Sequence, residues 1–152
     1  MKIKQILAIS GLAFSSSLIP VDPALSQCAI SVSSVNFGAY DIFSNIPKDI
    51  TGSITYNCTG VNPTPTSVAI DLSQGNASNY NQRQLRNGTD SINYNLYLDA
   101  AGQIIWGNAS SGTSRYTSSV LNGNVTIYGR IPARQKVTAG TYSDTITVTI
   151  EF

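Results

Sequence analysis

Few residues in this chain are of types that do covalent chemistry, and their spacing builds no catalytic set. Histidine is absent from all 152 residues, which removes a Ser-His-Asp relay and every histidine-bearing metal centre. Cys28 and Cys58 are the whole supply of thiols, and two thiols without imidazole fall short of a four-ligand zinc set. No glycine-rich phosphate loop or dinucleotide fingerprint occurs. The remaining route to catalysis is a carboxylate pair of the glycosidase kind, drawn from Asp41, Asp49, Asp71, Asp90, Asp99, Asp144 and Glu151. Most of these fall at the ends of apolar runs or in turn-like stretches, where they read as turn formers or solvated charges. No enzyme is expected, and no metal or cofactor.

Binding chemistry is better supplied. Trp106 and eight tyrosines could stack on a sugar, although Tyr94 and Tyr142 alternate with polar residues in a way that marks them as core. Arg83 with Arg86, and Arg130 with Arg134 and Lys136, form small basic groups. They read as solvated strand edges that discourage edge-to-edge association. Five Asn-x-Ser/Thr sequons, at Asn57, Asn76, Asn87, Asn108 and Asn124, follow from a composition rich in those residues and do not imply glycosylation.

The elements that position these residues belong to an exported chain. Residues 1–26 read as a signal peptide: Lys2 and Lys4 at the start, an apolar run from Ile6 to Phe14, and the small-x-small site Ala24-Leu25-Ser26. The run is short of the about 20 residues that span a bilayer, and Pro20 and Pro23 interrupt helix before the cut. Ala13-Phe14-Ser15 offers a second cleavage site of the same shape. The domain is therefore expected at residues 27–152. In an oxidising compartment Cys28 and Cys58 are expected to form a disulfide, stabilising by roughly 3–4 kcal/mol on the chain-entropy account. Charged residues make up 11% of the chain and the net charge is +1, which offers nothing to nucleic acid or anionic lipid.

Period-two alternation dominates the rest. Tyr142, Ile146, Val148, Ile150 and Phe152 share one face of the final stretch, with threonines and Glu151 on the other. Ile92 to Leu98, Val125 to Ile131, Val68 to Leu72 and Ile50 to Cys58 alternate likewise. In the first strand Ile30 and Val32 share one parity, but Val35 and Phe37 the other, which predicts a bulge or a change of sheet. Asn87-Gly88, Asn122-Gly123 and Asp99 to Gly102 read as turns, and Ser73 to Asn81 as an exposed loop. About seven or eight short strands without a helix predict a single all-β sandwich.

Several blocks, in order, resemble the spore coat protein U family, which includes subunits of archaic chaperone-usher pili. They are Cys28-Ala-Ile-Ser-Val with Val35-Asn-Phe-Gly-Ala-Tyr40, Gly52-Ser-Ile-Thr-Tyr-Asn-Cys58, Ile92 to Asp99 followed by Ile104-Ile-Trp-Gly107, and Val125 to Pro132 running into Gln135 and Gly140-Thr-Tyr-Ser-Asp144. The resemblance implies an immunoglobulin-like β-sandwich that lacks its final strand. It implies an acceptor groove lined by Ile146, Val148, Ile150 and Phe152 on one wall and by Val32, Val35 or Phe37 opposite. A periplasmic chaperone and then a neighbouring pilus or coat subunit would fill that groove, with an outer-membrane usher on the route. In a self-complete sandwich the same residues would simply be core. One departure stands out: cleavage after Ser26 leaves only Gln27 before Cys28, so the subunit is expected to accept a strand without donating one. The alternative function is a stand-alone secreted adhesive or carbohydrate-binding module, with a surface glycan as partner.

Overall fold

Residues with alternating polarity pair into strands because one face of each can then be buried while the other meets water. The computed structural model describes residues 27–152 and, by backbone, residues 2–5; the remainder of the expected leader lies outside the described residues. Among the described residues there is no helix, and the strands are β1 (Lys2–Gln5), β2 (Ala29–Val32), β3 (Lys48–Asn57), β4 (Val68–Leu72), β5 (Arg83–Asn87), β6 (Asp90–Tyr97), β7 (Tyr116–Ser118), β8 (Asn122–Ile131) and β9 (Thr145–Glu151). They form a four-stranded sheet in the order β1-β9-β4-β7 and a five-stranded sheet in the order β2-β3-β8-β6-β5. Ile70, Leu72, Ile146 and Val148 from the first, with Ile54, Tyr56, Leu96, Ile127 and Ile131 from the second, join one core cluster.

The change of parity in the first strand has a specific cause. β2 pairs with β3 as far as Val32 opposite Ile54, and one more bond, Ser33 N–H to Ser53 O at 2.9 Å, extends the ladder. There the Ser33 hydroxyl accepts from Ser53 N–H at 2.7 Å, a side chain standing where a backbone carbonyl would continue the ladder. The chain then crosses the inner face of the five-stranded sheet, where Val35 and Phe37 become buried. Glycines make the crossing possible. A Cβ on Gly129 would stand 2.9 Å from both Phe37 Cζ and Val35 Cγ1, and one on Gly52 would stand 2.8 Å from Val35 Cγ2. Both are closer than packed carbons tolerate.

Three expectations are corrected. Asn122-Gly123 is not a turn: both lie in β8, opposite Asn57 and Tyr56, and a Cβ on Gly123 would stand 3.0 Å from the Tyr56 hydroxyl, so the glycine makes room for that ring. The stretch Ser73 to Asn81 is not a free loop. Asn76 N–H donates to Asp144, and the Tyr80 and Asn81 carbonyls accept from Asn95 Nδ2 at 2.8 and 3.1 Å. The last strand begins at Thr145 and does not include Tyr142, because Ser143 bridges to Arg86 in the other sheet and the chain changes sheet at Asp144. The turns at Gly88 (φ +59°) and Gly102 (φ +71°) form as expected. Cys28 and Cys58 are joined by a disulfide with both residues buried, tying the start of β2 to the end of β3.

Candidate strand-acceptor site

The last strand presents Ile146 and Val148 inward, both essentially buried, with Ile150 half-buried beside them. One edge of β9 pairs antiparallel with β4, placing Val148 opposite Leu72 and Ile150 opposite Ile70. The other edge pairs in parallel with β1, from Lys2 opposite Thr145 to Gln5 opposite Val148. From Thr149 onward β9 has only β4 as a ladder partner among the described residues. That edge of β9 is thus paired over four consecutive positions, Thr145 to Val148.

Just before β9, a cleft of about 600 Å³ opens between residues 35–43 and residues 137–142. Val35 and Phe37 form part of its wall, and Leu85, Ile92, Ile131 and Val137 make most of the rest apolar. Phe37 is fixed edge-on against Tyr94, with ring centroids 5.8 Å apart. The Tyr40 hydroxyl closes one end: it donates to Pro132 O at 2.7 Å and accepts from Gln135 N–H at 2.9 Å. The Gln135 amide in turn pairs with the Asn93 backbone as a strand would, accepting from its N–H at 2.7 Å and donating to its C=O at 2.8 Å. Phe43 and Ile46, 85% and 69% exposed, stand on the rim segment and just beyond it.

Apart from Phe152, the residues expected to line one groove share one apolar cluster, with Val35, Phe37, Ile146 and Val148 in its buried part and Val32 and Ile150 packed against it, but only some of them reach the cleft. Val35 and Phe37 line the cleft; Ile146, Val148 and Ile150 lie in β9, beyond Tyr142, where the cleft lining ends. Val32 is half-buried at the end of β2, and Phe152 is 47% exposed beyond β9. Neither belongs to the cleft wall.

A buried polar cluster beside the cleft departs from the sequence, where Arg83 reads as a solvated strand edge and Asp144 falls among carboxylates that read mostly as turn formers or solvated charges. Asp144 is 1% exposed and accepts from Asn76 N–H at 2.9 Å, Thr145 N–H at 2.7 Å and the Tyr94 hydroxyl at 2.7 Å. Burial, and then the Asp144 charge, push the Tyr94 phenol far above its ordinary range. Arg83, fully buried, donates to Ser73 O at 3.0 Å, Asn95 Oδ1 at 2.6 Å and Trp106 O at 2.6 Å; burial lowers its pKa. The available signal was parity: Arg83 stands opposite Tyr94 on the same inward face as Leu85.

Other charged residues settle into pairs and turns. Asp49 takes both nitrogens of the Arg130 fork at 2.7 and 2.8 Å, Asp71 and Glu151 flank Arg115, and Asp99 caps its own turn through Gln103 and Ile104 N–H. Among the described residues no group of three or more potential metal ligands occurs. Trp106 is wholly buried and its indole N–H donates to Ile70 O at 2.9 Å, so it cannot take part in the exposed sugar platform considered from the sequence.

Comparison with known proteins places this geometry. The model of the Spore Coat Protein U domain matches residues 17–149. Protein U of Myxococcus xanthus is 34% identical over 127 residues, covering 78% of this chain and 71% of that protein. Among solved structures, a chaperone–tip adhesion subunit pre-assembly complex from the archaic chaperone-usher Csu pili of Acinetobacter baumannii aligns with a TM-score of 0.53 and 20% identity. The alignment covers 83% of this chain and 40% of the matched one. A chaperone-usher pilus structure concerned with rod uncoiling aligns over 95% of this chain and 96% of its own, with a TM-score of 0.50 and 14% identity. At those identities the likeness is one of fold: the chain has the all-β, pilin-like sandwich of chaperone-usher subunits.

Proposed function

We propose that this chain, which belongs to the Spore Coat Protein U domain family, is a structural cell-surface subunit of a pilus or coat, assembled by strand addition at the edge of β9. Residues 1–26 direct export to the periplasm and are removed, leaving residues 27–152 as the working domain. A periplasmic chaperone supplies the strand that covers β9, an outer-membrane usher receives the complex, and another subunit then replaces the chaperone strand.

The observation that carries this reading is the pairing of Lys2–Gln5 with Thr145–Val148. The segment on that edge falls within the expected leader. Once it is cut away, β9 keeps β4 on one side and an unpaired row of N–H and C=O groups on the other. Such an edge is a template for another chain, and β-augmentation satisfies it with backbone hydrogen bonds while alternate apolar side chains enter pockets. The apolar cleft that ends at Tyr142 lies immediately before this edge in the chain and offers room for such side chains.

Amide hydrogen exchange tests the reading. The exported form, beginning at Gln27, is incubated with a synthetic peptide of alternating apolar residues and with a scrambled peptide of equal composition. Exchange across residues 145–151 should slow with the alternating peptide alone. Equal protection before and after peptide addition would mean that the β9 edge is already closed within the domain.

A further inference from the structure

The outer face of the five-stranded sheet carries a second concavity, of about 400 Å³, unrelated to β9. Its floor is a cross-strand row in which Thr51, Tyr128 and Tyr97 stand directly opposite one another on β3, β8 and β6. Facing residues in such a row bring their Cβ atoms to about 4.5–5.5 Å, so the two tyrosines are neighbours on that face. Both are half-buried, and neither hydroxyl has a hydrogen-bond partner among the described residues. The next row holds the Asp49–Arg130 pair, and Arg130 Nη1 also donates to Ala101 O at 3.1 Å. Ala100 and Gly102, from the turn that follows β6, form one wall. It lies so close that a Cβ on Gly102 would stand 2.8 Å from Arg130 Nη1.

We propose that this concavity is a binding site for a neutral saccharide, with the rings of Tyr97 and Tyr128 stacking on the C–H face of a pyranose and Arg130, Asp49 and the turn backbone supplying its polar rim. The chemistry of the lining selects that class. Ligand sites combine aromatic or apolar walls with a few fixed polar groups, and here the fixed charges cancel, which disfavours an anion or a cation. Two neighbouring tyrosines with a few polar groups beside them suit a ring that is apolar on its face and hydroxylated at its edge. β-Linked pyranosides with equatorial substituents have that shape. This site sits in the sheet that does not contain β9, so it stands whether or not strand addition occurs.

The test titrates the purified full-length exported protein with cellohexaose and chitohexaose, with the anionic hexamer of galacturonic acid as comparator, following tyrosine ring signals by NMR. At least one neutral hexamer should shift the Tyr97 and Tyr128 rings saturably and leave Tyr40 and Tyr80 in place. Tyr97→Ala and Tyr128→Ala should each weaken binding by about tenfold, while Arg134→Ala binds as the parent does. The ring shifts are read on the unaltered protein, so the test survives a variant that does not fold. Silence of those two rings with both neutral hexamers, unchanged affinity in the folded alanine variants, or tighter binding of the anionic hexamer would each overturn the proposal.

Discussion

Replacing Asp144 by Ala should cost this protein about 2–4 kcal/mol, because it strands buried donors rather than a solvated charge. Asn76 N–H, Thr145 N–H and the Tyr94 hydroxyl all end on that carboxylate, and urea unfolding of Asp144→Ala measures the loss. The same cluster sets the alkaline limb of stability. Burial first, and then Asp144, raise the Tyr94 pKa, so folding holds the phenol neutral at pH values where the unfolded chain ionises. A group raised in this way contributes in full below its unfolded pKa of ~10 and loses that contribution as pH climbs toward the folded value. Unfolding free energy should therefore decline from about pH 10 upward. Tyr94→Phe should be weaker at neutral pH by about 1–2 kcal/mol yet decline less steeply, which denaturant melts at pH 8 and pH 11 would compare.

At the scale of elements, the close crossing of the first strand over β8 sets the shape of the cleft. Gly129 lies between Ile127 and Ile131 on the inner face, and the missing side chain is the space Val35 and Phe37 use. Gly129→Ala should destabilise by about 1–3 kcal/mol through overpacking, although alanine is otherwise the better strand residue; thermal unfolding of the variant checks the sign. β3, β4, β6 and β8 were legible in the sequence because each alternates apolar and polar residues over its length. β5 and β7 were not. Arg83-Gln-Leu-Arg-Asn87 offers a single aliphatic residue, and the acceptors that allow Arg83 to be buried come from Ser73, Asn95 and Trp106, remote in sequence. Asn122-Gly123 misled because a turn dipeptide and a glycine that accommodates a facing tyrosine are identical on paper.

At the scale of the molecule, two sheets meet over one core, and the edges of those sheets decide what the protein can join. β5 is tied at Arg86 to Ser143 and β7 is only three residues long. The edge of β9 is covered by residues from the expected leader. Ile146, Val148 and Ile150 could be picked from alternation as the inward face of β9. That only Val35 and Phe37 among the expected groove residues line the cleft could not be read, because it depends on where the chain changes sheet at Asp144. The proposed role as a strand-accepting subunit turns on the free energy of that one edge. Its most direct measurement is thermal unfolding of residues 27–152 alone and with a donor-strand peptide of alternating apolar residues. A strand-accepting subunit should be a weakly stable or self-associating domain whose melting temperature rises strongly with the peptide, since ligand binding to the folded state alone stabilises by mass action. A cooperative, stable monomer that melts at the same temperature with and without the peptide would contradict it.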